Sequence, residues 1–365
     1  MESPLLASSD AVAASGADTG VAAHYGDPVA EQRALERGIG ITDLGHLGVV
    51  CVAGPDRLSW LHSLATAHVA ELAPGVGTEL LLLDPQGRIA HAAAVVDDGA
   101  ATWLITEADA AHGLAQFLDS MRFMLDVQVR VVDDVAVLGT AAASPGLRLQ
   151  DGSEPVRWVD PWPRVADGGS AYGPTQNHPG EARSVALWLV PRAQVRAVCE
   201  SAMTAGARLA GVWAWEALRI AAWRPRLAHE VDDRSIPHEL DWLRTAVHLN
   251  KGCYRGQETV ARVFNLGKPP RRLVALQLDG SDHELPEVGA PVHLGDREVG
   301  RLTSVARHHE LGPIGLAVIK RSADPTSDLL VAGVAAAQEV IVSPEGVGTG
   351  RPDAVDTGLR RRRSS

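Results

Sequence analysis

The sequence predicts an α+β protein built mainly on antiparallel sheets, with a small β-barrel at its C-terminal end. Three observations carry that expectation. Short apolar runs bounded by turn residues follow one another as hairpins, without the strand–helix alternation of a doubly wound sheet. Stretches of helical period interrupt them, as at Leu58, Leu61, Leu64 and Ala65. Beyond Lys268-Pro269-Pro270 only short strands remain, with turns at Gly295-Asp296 and Gly312-Pro313, which suits a compact barrel.

In chain order, residues 1–22 are Ala, Ser, Gly and Asp without periodicity and are expected to be a disordered lead-in. A helix is expected over 31–37, a strand over 49–53 and a helix over 58–65, on which His62 is read as a helix-surface or packed residue and not a metal ligand, because no second His or Cys shares its face. Residues 80–83 and 89–96 flank Asp84-Pro85-Gln86-Gly87 as a hairpin, and Asp97-Asp98-Gly99 turns into a strand over 102–106. A helix over 110–121 and strands over 127–132 and 135–138 follow. Residues 141–184, rich in Pro, Gly, Asp and Ser around Trp158 and Trp162, read as a long excursion or a partly ordered insert. Next come a strand over 184–190, helices over 192–205 and 211–220, and a strand over 246–249. The barrel strands are expected at 273–278, 291–294, 298–304, 314–319 and 339–342, before an unpatterned tail whose Arg360 to Arg363 run reads as a solvated end.

A chain of 365 residues allows two or three domains, and 45% hydrophobic against 22% charged residues allows a sizeable core. With 9 Trp but only 3 Phe and 3 Tyr, that core must be mainly Ala, Val and Leu. A net charge of −11 argues against a broad nucleic-acid surface. Cys51, Cys199 and Cys253 form no C-x-x-C pair, so neither a zinc site nor a dithiol motif is indicated, and an unpaired set suits a reducing compartment. No secretory leader or membrane-length apolar run is evident, which makes the cytoplasm the default expectation. No P-loop, G-x-G-x-x-G or G-x-S-x-G appears, and His308-His309 reads as an exposed polar pair.

The densest chemistry lies at Lys251-Gly252-Cys253-Tyr254-Arg255-Gly256-Gln257-Glu258-Thr259. Val260, Val263 and Phe264 continue it as one apolar helix face, and Glu258 suits the positive end of that helix. Gly252 and Gly256 bracket the thiol and permit a tight bend. Lys251 and a helix start would both favour the thiolate of Cys253. Only Lys251, Lys268 and Lys320 are lysines among 34 basic residues, which sets Lys251 apart in a chain that otherwise uses Arg. Packing of Cys253 as a small apolar residue is the competing reading.

The run K-G-C-Y-x-G-Q-E resembles the hallmark of the YgfZ-type folate-binding proteins, relatives of the glycine-cleavage T-protein. Further pieces fall in the same order: G-P-D-R-L-S-W-L from Gly54, Leu83 to Arg88, Leu218-Arg219-Ile220, Ser235-Ile236-Pro237-His238-Glu239 and residues 295–300. The resemblance covers residues 25–345 and implies a three-domain ring around a channel for tetrahydrofolate or a derivative. Residues 23–267 would form the folate-binding region in two subdomains, 268–345 the barrel and 346–365 a disordered basic tail. It also implies an accessory role in assembling or maintaining iron–sulfur proteins, which would be its partners, and in some bacteria a link to tRNA modification. By that resemblance Cys253 and Lys251 are the candidate reactive pair, Arg219, Glu230, Glu239, Tyr254, Gly256, Gln257 and Glu258 would contact the folate, and no metal ligand is expected.

Two departures concern chemistry. The T-protein pattern G-G-x-x-D-D places acids where this chain has His91 and Ala92, with Arg88 for the second glycine. Its L-R-x-E acid is replaced by Ala221. Alanine offers no proton-transfer group, so whether the chain is an enzyme stays open. The alternatives are a folate-dependent aminomethyltransferase or demethylase with a different acid set, and an interaction scaffold with a vestigial pocket.

Overall fold

The computed structural model describes residues 2–281 and 284–352; the Arg360 to Arg363 run lies outside them. Apolar runs pair as anticipated. Gly77–Leu83 and Ile89–Asp97 form the hairpin, and Ala101–Glu107, Leu47–Ala53 and Gln128–Val131 complete an antiparallel five-stranded sheet. A second five-stranded sheet runs Val156–Val159, Val185–Pro191, Val135–Ala141, Gly40–Asp43, Arg208–Ala210; only its last pair is parallel. The C-terminal strands Arg271–Leu278, Pro291–Leu294, Arg297–His308, Gly312–Lys320, Leu329–Val331 and Val334–Val340 close into a barrel.

The helices are α1 (Pro28–Glu36), α2 (Arg57–Leu64), α3 (Ala108–Ser120), α4 (Val195–Thr204), α5 (Val212–Ala221), α6 (Leu227–Glu230), α7 (Leu243–Ala246) and α8 (Gln257–Asn265). Asp27 starts α1 by accepting from the amides of Val29 and Ala30, with Pro28 at the first helical position. Between the first sheet, α7, α8 and the barrel lies a continuous core that includes Leu81, Leu83, Leu243, Val260, Phe264, Leu273 and Leu316. The barrel is therefore packed onto the body through apolar surface.

Four expectations are corrected. Residues 2–22 are folded: Pro4–Ala7 is a short 3-10 helix, Val12–Ala13 pairs with Ala22–His24, and Val21 is fully buried. Low periodicity hid this because the segment is held by partners elsewhere, such as Ser3 donating to Asp43 and Asp18 meeting Arg226. The 141–184 stretch is built into the body, since Trp158 and Trp162 are buried and donate their indole N–H groups to Thr78 O (2.6 Å) and Ala222 O (2.9 Å). Residues 246–249 are no strand; α7 ends there and an irregular run leads into the motif loop. The tail up to residue 352 is anchored as well, with Thr349 bonded both ways to the 170–171 backbone and side chain.

Two glycines far apart in sequence join the hairpin turn to the start of α8. Gly256 has φ +81°, and a Cβ there would lie 2.6 Å from Asp84 O. A Cβ on Gly87 (φ +79°) would lie 2.8 Å from Thr259 Cβ. Gly252, by contrast, has open space around it. Gly256→Ala is therefore expected to cost about 1–3 kcal/mol, through both the left-handed backbone and the backbone clash. Gly252→Ala should stay within about 0.5 kcal/mol of the parent in urea melts. Equal effects at the two positions would contradict this account of the joint.

Candidate functional site

A cavity of about 870 Å³, counting the part open to solvent, lies where the two sheets face α5 and the segment 224–227. Ala92 and Ala94 of the first sheet, Leu187 of the second, and Trp158, Trp215 and Trp242 give it apolar walls.

Its polar lining is a set of ion pairs. Arg226 makes a two-pronged contact with Glu107 (2.9 Å each) and reaches Asp18 at 2.8 Å and Glu216 at 3.3 Å. Arg224 holds Glu79 at 2.7 Å and Asp160 at 3.1 Å. Arg219 bonds Glu216 (2.8 Å), Glu230 (3.0 Å), the carbonyl of Arg224 (2.7 Å) and the hydroxyl of Ser304 (2.6 Å). Each carboxylate lining the cavity, namely Asp18, Glu79, Glu107, Asp160 and Glu216, thus holds a guanidinium. Such pairing offsets the desolvation that buried charges would otherwise suffer. Burial pushes the pKa of Glu216 up, but the charges of Arg219 and Arg226 outweigh it and hold the carboxyl below the usual range.

The anticipated site residues do not gather in this cavity. Arg219 lines it, but its guanidinium is committed to internal partners. Glu230 is fully buried and accepts from Arg219, the Arg226 amide (2.8 Å), Thr303 (2.9 Å) and Ser304 (2.5 Å). Glu239, also fully buried, is clamped by Arg271 at 3.0 and 2.7 Å, which ties the first barrel strand to the 237–240 turn. Neither carboxylate has a free edge for a pterin. His91 turns away from the cavity toward Phe117, its ring 5.9 Å from that ring, and burial lowers its pKa. Ala92 occupies the cavity wall, and Ala221 lines a neighbouring cavity.

The motif loop sits elsewhere. Lys251 is buried beneath the Tyr254 ring (5.3 Å), and its ammonium donates to the carbonyls of His62, Ala65 and, at 3.1 Å, Ala67. It thereby satisfies the end of α2, where free carbonyls and the negative helix end favour a cation. Burial still draws its pKa down to about 8. The ammonium is thus engaged with α2, which corrects the picture of a cation devoted to the thiol. Gln257 fastens the loop by donating to the carbonyls of Lys251 (3.2 Å) and Gly252 (3.3 Å). Cys253, Arg255 and Glu258 are exposed. Cys51 and Cys199 are buried, and burial pushes both thiols up, Cys199 to about 12.

His62 meets histidines from outside its own helix: its ring lies 4.5 Å from that of His68, which lies 5.3 Å from that of His248. Among the described residues, only Glu36, His308 and His309 bring three potential metal ligands within 4.8 Å of one another. His308 is buried, not exposed, and its Nδ1 accepts from the amides of Glu310 and Leu311 (3.2 Å each). That leaves the ring proton on Nε2, the nitrogen facing Glu36, so the group acts as a clasp between the barrel and α1.

Two sheets and a C-terminal barrel in this arrangement are matched by a solved structure, the glycine cleavage system aminomethyltransferase T of Bartonella henselae. The TM-score is 0.72 at 17% identity, over 94% of this chain and 97% of that one. The fold is that of the glycine-cleavage T-protein. Residues 271–346 match the family of the T-protein C-terminal barrel domain. A putative chloroplastic transferase of Arabidopsis thaliana is 25% identical over 82% of this chain and 69% of its own length. The aminomethyltransferases of Streptomyces avermitilis and Thermus thermophilus are 26% and 28% identical, over 81% and 77% of this chain and 82% and 79% of theirs. No helix among the described residues is long and apolar enough to cross a membrane.

On this T-protein fold the cavity residues that sequence reasoning missed are Asp18, Glu79, Glu107, Asp160, Glu216, Arg224 and Arg226. A usable signal was present in Arg219, Arg224 and Arg226, three arginines within a few residues of Trp215 and Trp223. Asp18 offers a test of the network. Burial pushes its pKa up, but a hydrogen bond to His46 and the Arg226 charge outweigh it and hold the carboxyl well below the usual range. A depressed carboxylate contributes stability above its unfolded pKa of about 3.9, and loses it as pH falls below that value. Asp18→Asn is expected to cost about 1–3 kcal/mol at pH 7 and to flatten the acid limb of the stability profile. An unchanged acid limb would count against the network.

Proposed function

We propose that this protein binds a reduced folate in the central cavity and serves as an accessory protein to iron–sulfur enzymes, without carrying out aminomethyl transfer itself. The carrying observation is the cavity wall: Ala92 stands where an acid would be needed, and each lining carboxylate is held by an arginine. No lining acid is thereby left as a ready proton-transfer group. The cavity's tryptophan walls and a guanidinium, Arg183, that meets no carboxylate support a folate as its ligand. The iron–sulfur role rests on the resemblance of the K-G-C-Y-x-G-Q-E loop, with Cys253 exposed on it. Folate-dependent one-carbon transfer is the second reading, favoured by the names of the aminomethyltransferase relatives.

Calorimetry with tetrahydrofolate should give saturable binding, and methylated or aminomethylated donors should not be turned over with it. Absence of saturable heat would remove the folate reading, and turnover would favour the transferase.

Cys253 is tested separately. Iodoacetamide near pH 7 should label Cys253 in the folded protein and leave Cys51 and Cys199 unmodified, because those two are buried. Cys253→Ser should keep the parent melting temperature yet fail to restore iron–sulfur enzyme activity in a deletion strain. Full restoration would show that the thiol is dispensable.

A further inference from the structure

Arg183 differs from the other arginines of the central cavity. Arg219, Arg224 and Arg226 each hold two or more carboxylates. Among the described residues none gives the Arg183 guanidinium a hydrogen bond or an ion pair. Its contact is a face: the guanidinium carbon lies 4.7 Å from the centre of the Trp215 ring. The residue stands between the 3-10 turn Pro179–Ala182 and the strand Val185–Pro191, so its backbone is fixed on both sides.

Its position is also distinctive. Arg183, Val185 and Trp215 line the central cavity and also a second one, of about 940 Å³ counting open solvent. The Arg183–Trp215 stack is therefore a shared wall between the two spaces. The charges around it are uneven. Asp160 and Glu216 act on it favourably and Arg219 and Arg224 unfavourably, but both acids are already engaged by Arg224 and Arg219. Burial lowers its pKa to about 10, which still leaves it a cation at neutral pH. A cation without a counterion in a partly desolvated wall is costly, and a bound anion relieves that cost.

We infer that Arg183 anchors the carboxylate of a flat aromatic ligand at the boundary of the two cavities, with Trp215 fixing the guanidinium plane. The planar fork matches a carboxylate in a two-pronged way, and stacking pre-orients it. A singly charged carboxylate suits one guanidinium. Asp160 and Glu216 disfavour a doubly charged phosphate, and Glu36 and Glu310 on the second cavity keep the anion at the Arg183 wall. This inference deepens the folate reading and rests on the cavity being a ligand site.

The test is calorimetry with two probes on the full chain, tetrahydrofolate and the carboxylate-free 6-methyltetrahydropterin. Arg183→Gln should weaken tetrahydrofolate at least about tenfold and leave the carboxylate-free pterin unchanged. Arg183→Lys should weaken tetrahydrofolate less, because it keeps the charge but loses the fork. Equal binding of tetrahydrofolate by parent and Arg183→Gln would overturn the anchor while the folate reading stood. Equal loss of both probes would also overturn it, by showing a collapsed cavity. Should the parent bind neither probe, the folate reading fails, and 4-aminobenzoylglutamate and indole-3-acetate take their place. Binding of either that depends on Arg183 sustains the anchor, and no binding by the parent removes it. If Arg183→Gln does not fold, the Arg183→Lys titration decides by the same comparison.

Discussion

The Arg226 guanidinium is the interaction on which the cavity depends. It joins Asp18 of the N-terminal segment, Glu107 at the end of a first-sheet strand and Glu216 of α5. Three segments that are remote in sequence thereby share one buried charge, with Arg219 continuing the chain from Glu216 to Glu230 and to Ser304 of the barrel. A pair of this kind contributes little beyond what a well-packed apolar group would. Removing one member, however, leaves a buried charge uncompensated, at about 3–5 kcal/mol. The network therefore acts mainly as a constraint on how the lobes register, and it leaves the cavity wall polar yet nearly neutral.

The same pairing bears on what the cavity's acids can do. A carboxylate already gripped by a guanidinium is a weak base, because the pairing favours its charged form. Ala92 and Ala221 stand where the resemblance would place acids, and the acids that line the central cavity are paired with guanidinium groups. The exposed loop is a second, distinct surface. Lys251 ends α2, Gly256 and Gly87 let the loop press on the hairpin turn, and Cys253 is left facing solvent. On the proposed reading, this seated loop with its accessible thiol would meet a partner protein, apart from the ligand cavity.

Much of the fold was legible because period and turn chemistry are local. The hairpin about Asp84-Pro85-Gln86-Gly87 appears where alternation and turn residues put it, and Asp84 closes that turn by accepting from the amides of Gln86 and Arg88 at 2.8 Å each. Helix α8 begins just after the glycine, and Val260 and Phe264 bury the face that their spacing predicted. The segment 2–22 was illegible for the opposite reason: its order comes from Asp43 and Arg226, which no window of local sequence contains. Trp158 likewise belongs to a strand whose partner lies some thirty residues on and whose indole bonds a third segment.

The sequence by itself determined the α+β class, the barrel beyond Pro270 and the glycine-hinged loop before α8. These depend on side-chain type, spacing and backbone freedom, which are properties of neighbours in the chain. Only the tertiary structure decided which charges are spent. Glu230 and Glu239 looked like ligand acids and prove to be clamped by Arg219 and Arg271, and Lys251 looked like the thiol's partner and proves to end α2. Pairing of buried charges is settled by distance across lobes, so the one free guanidinium on the cavity wall, Arg183 among the described residues, emerges only once every other partner has been placed.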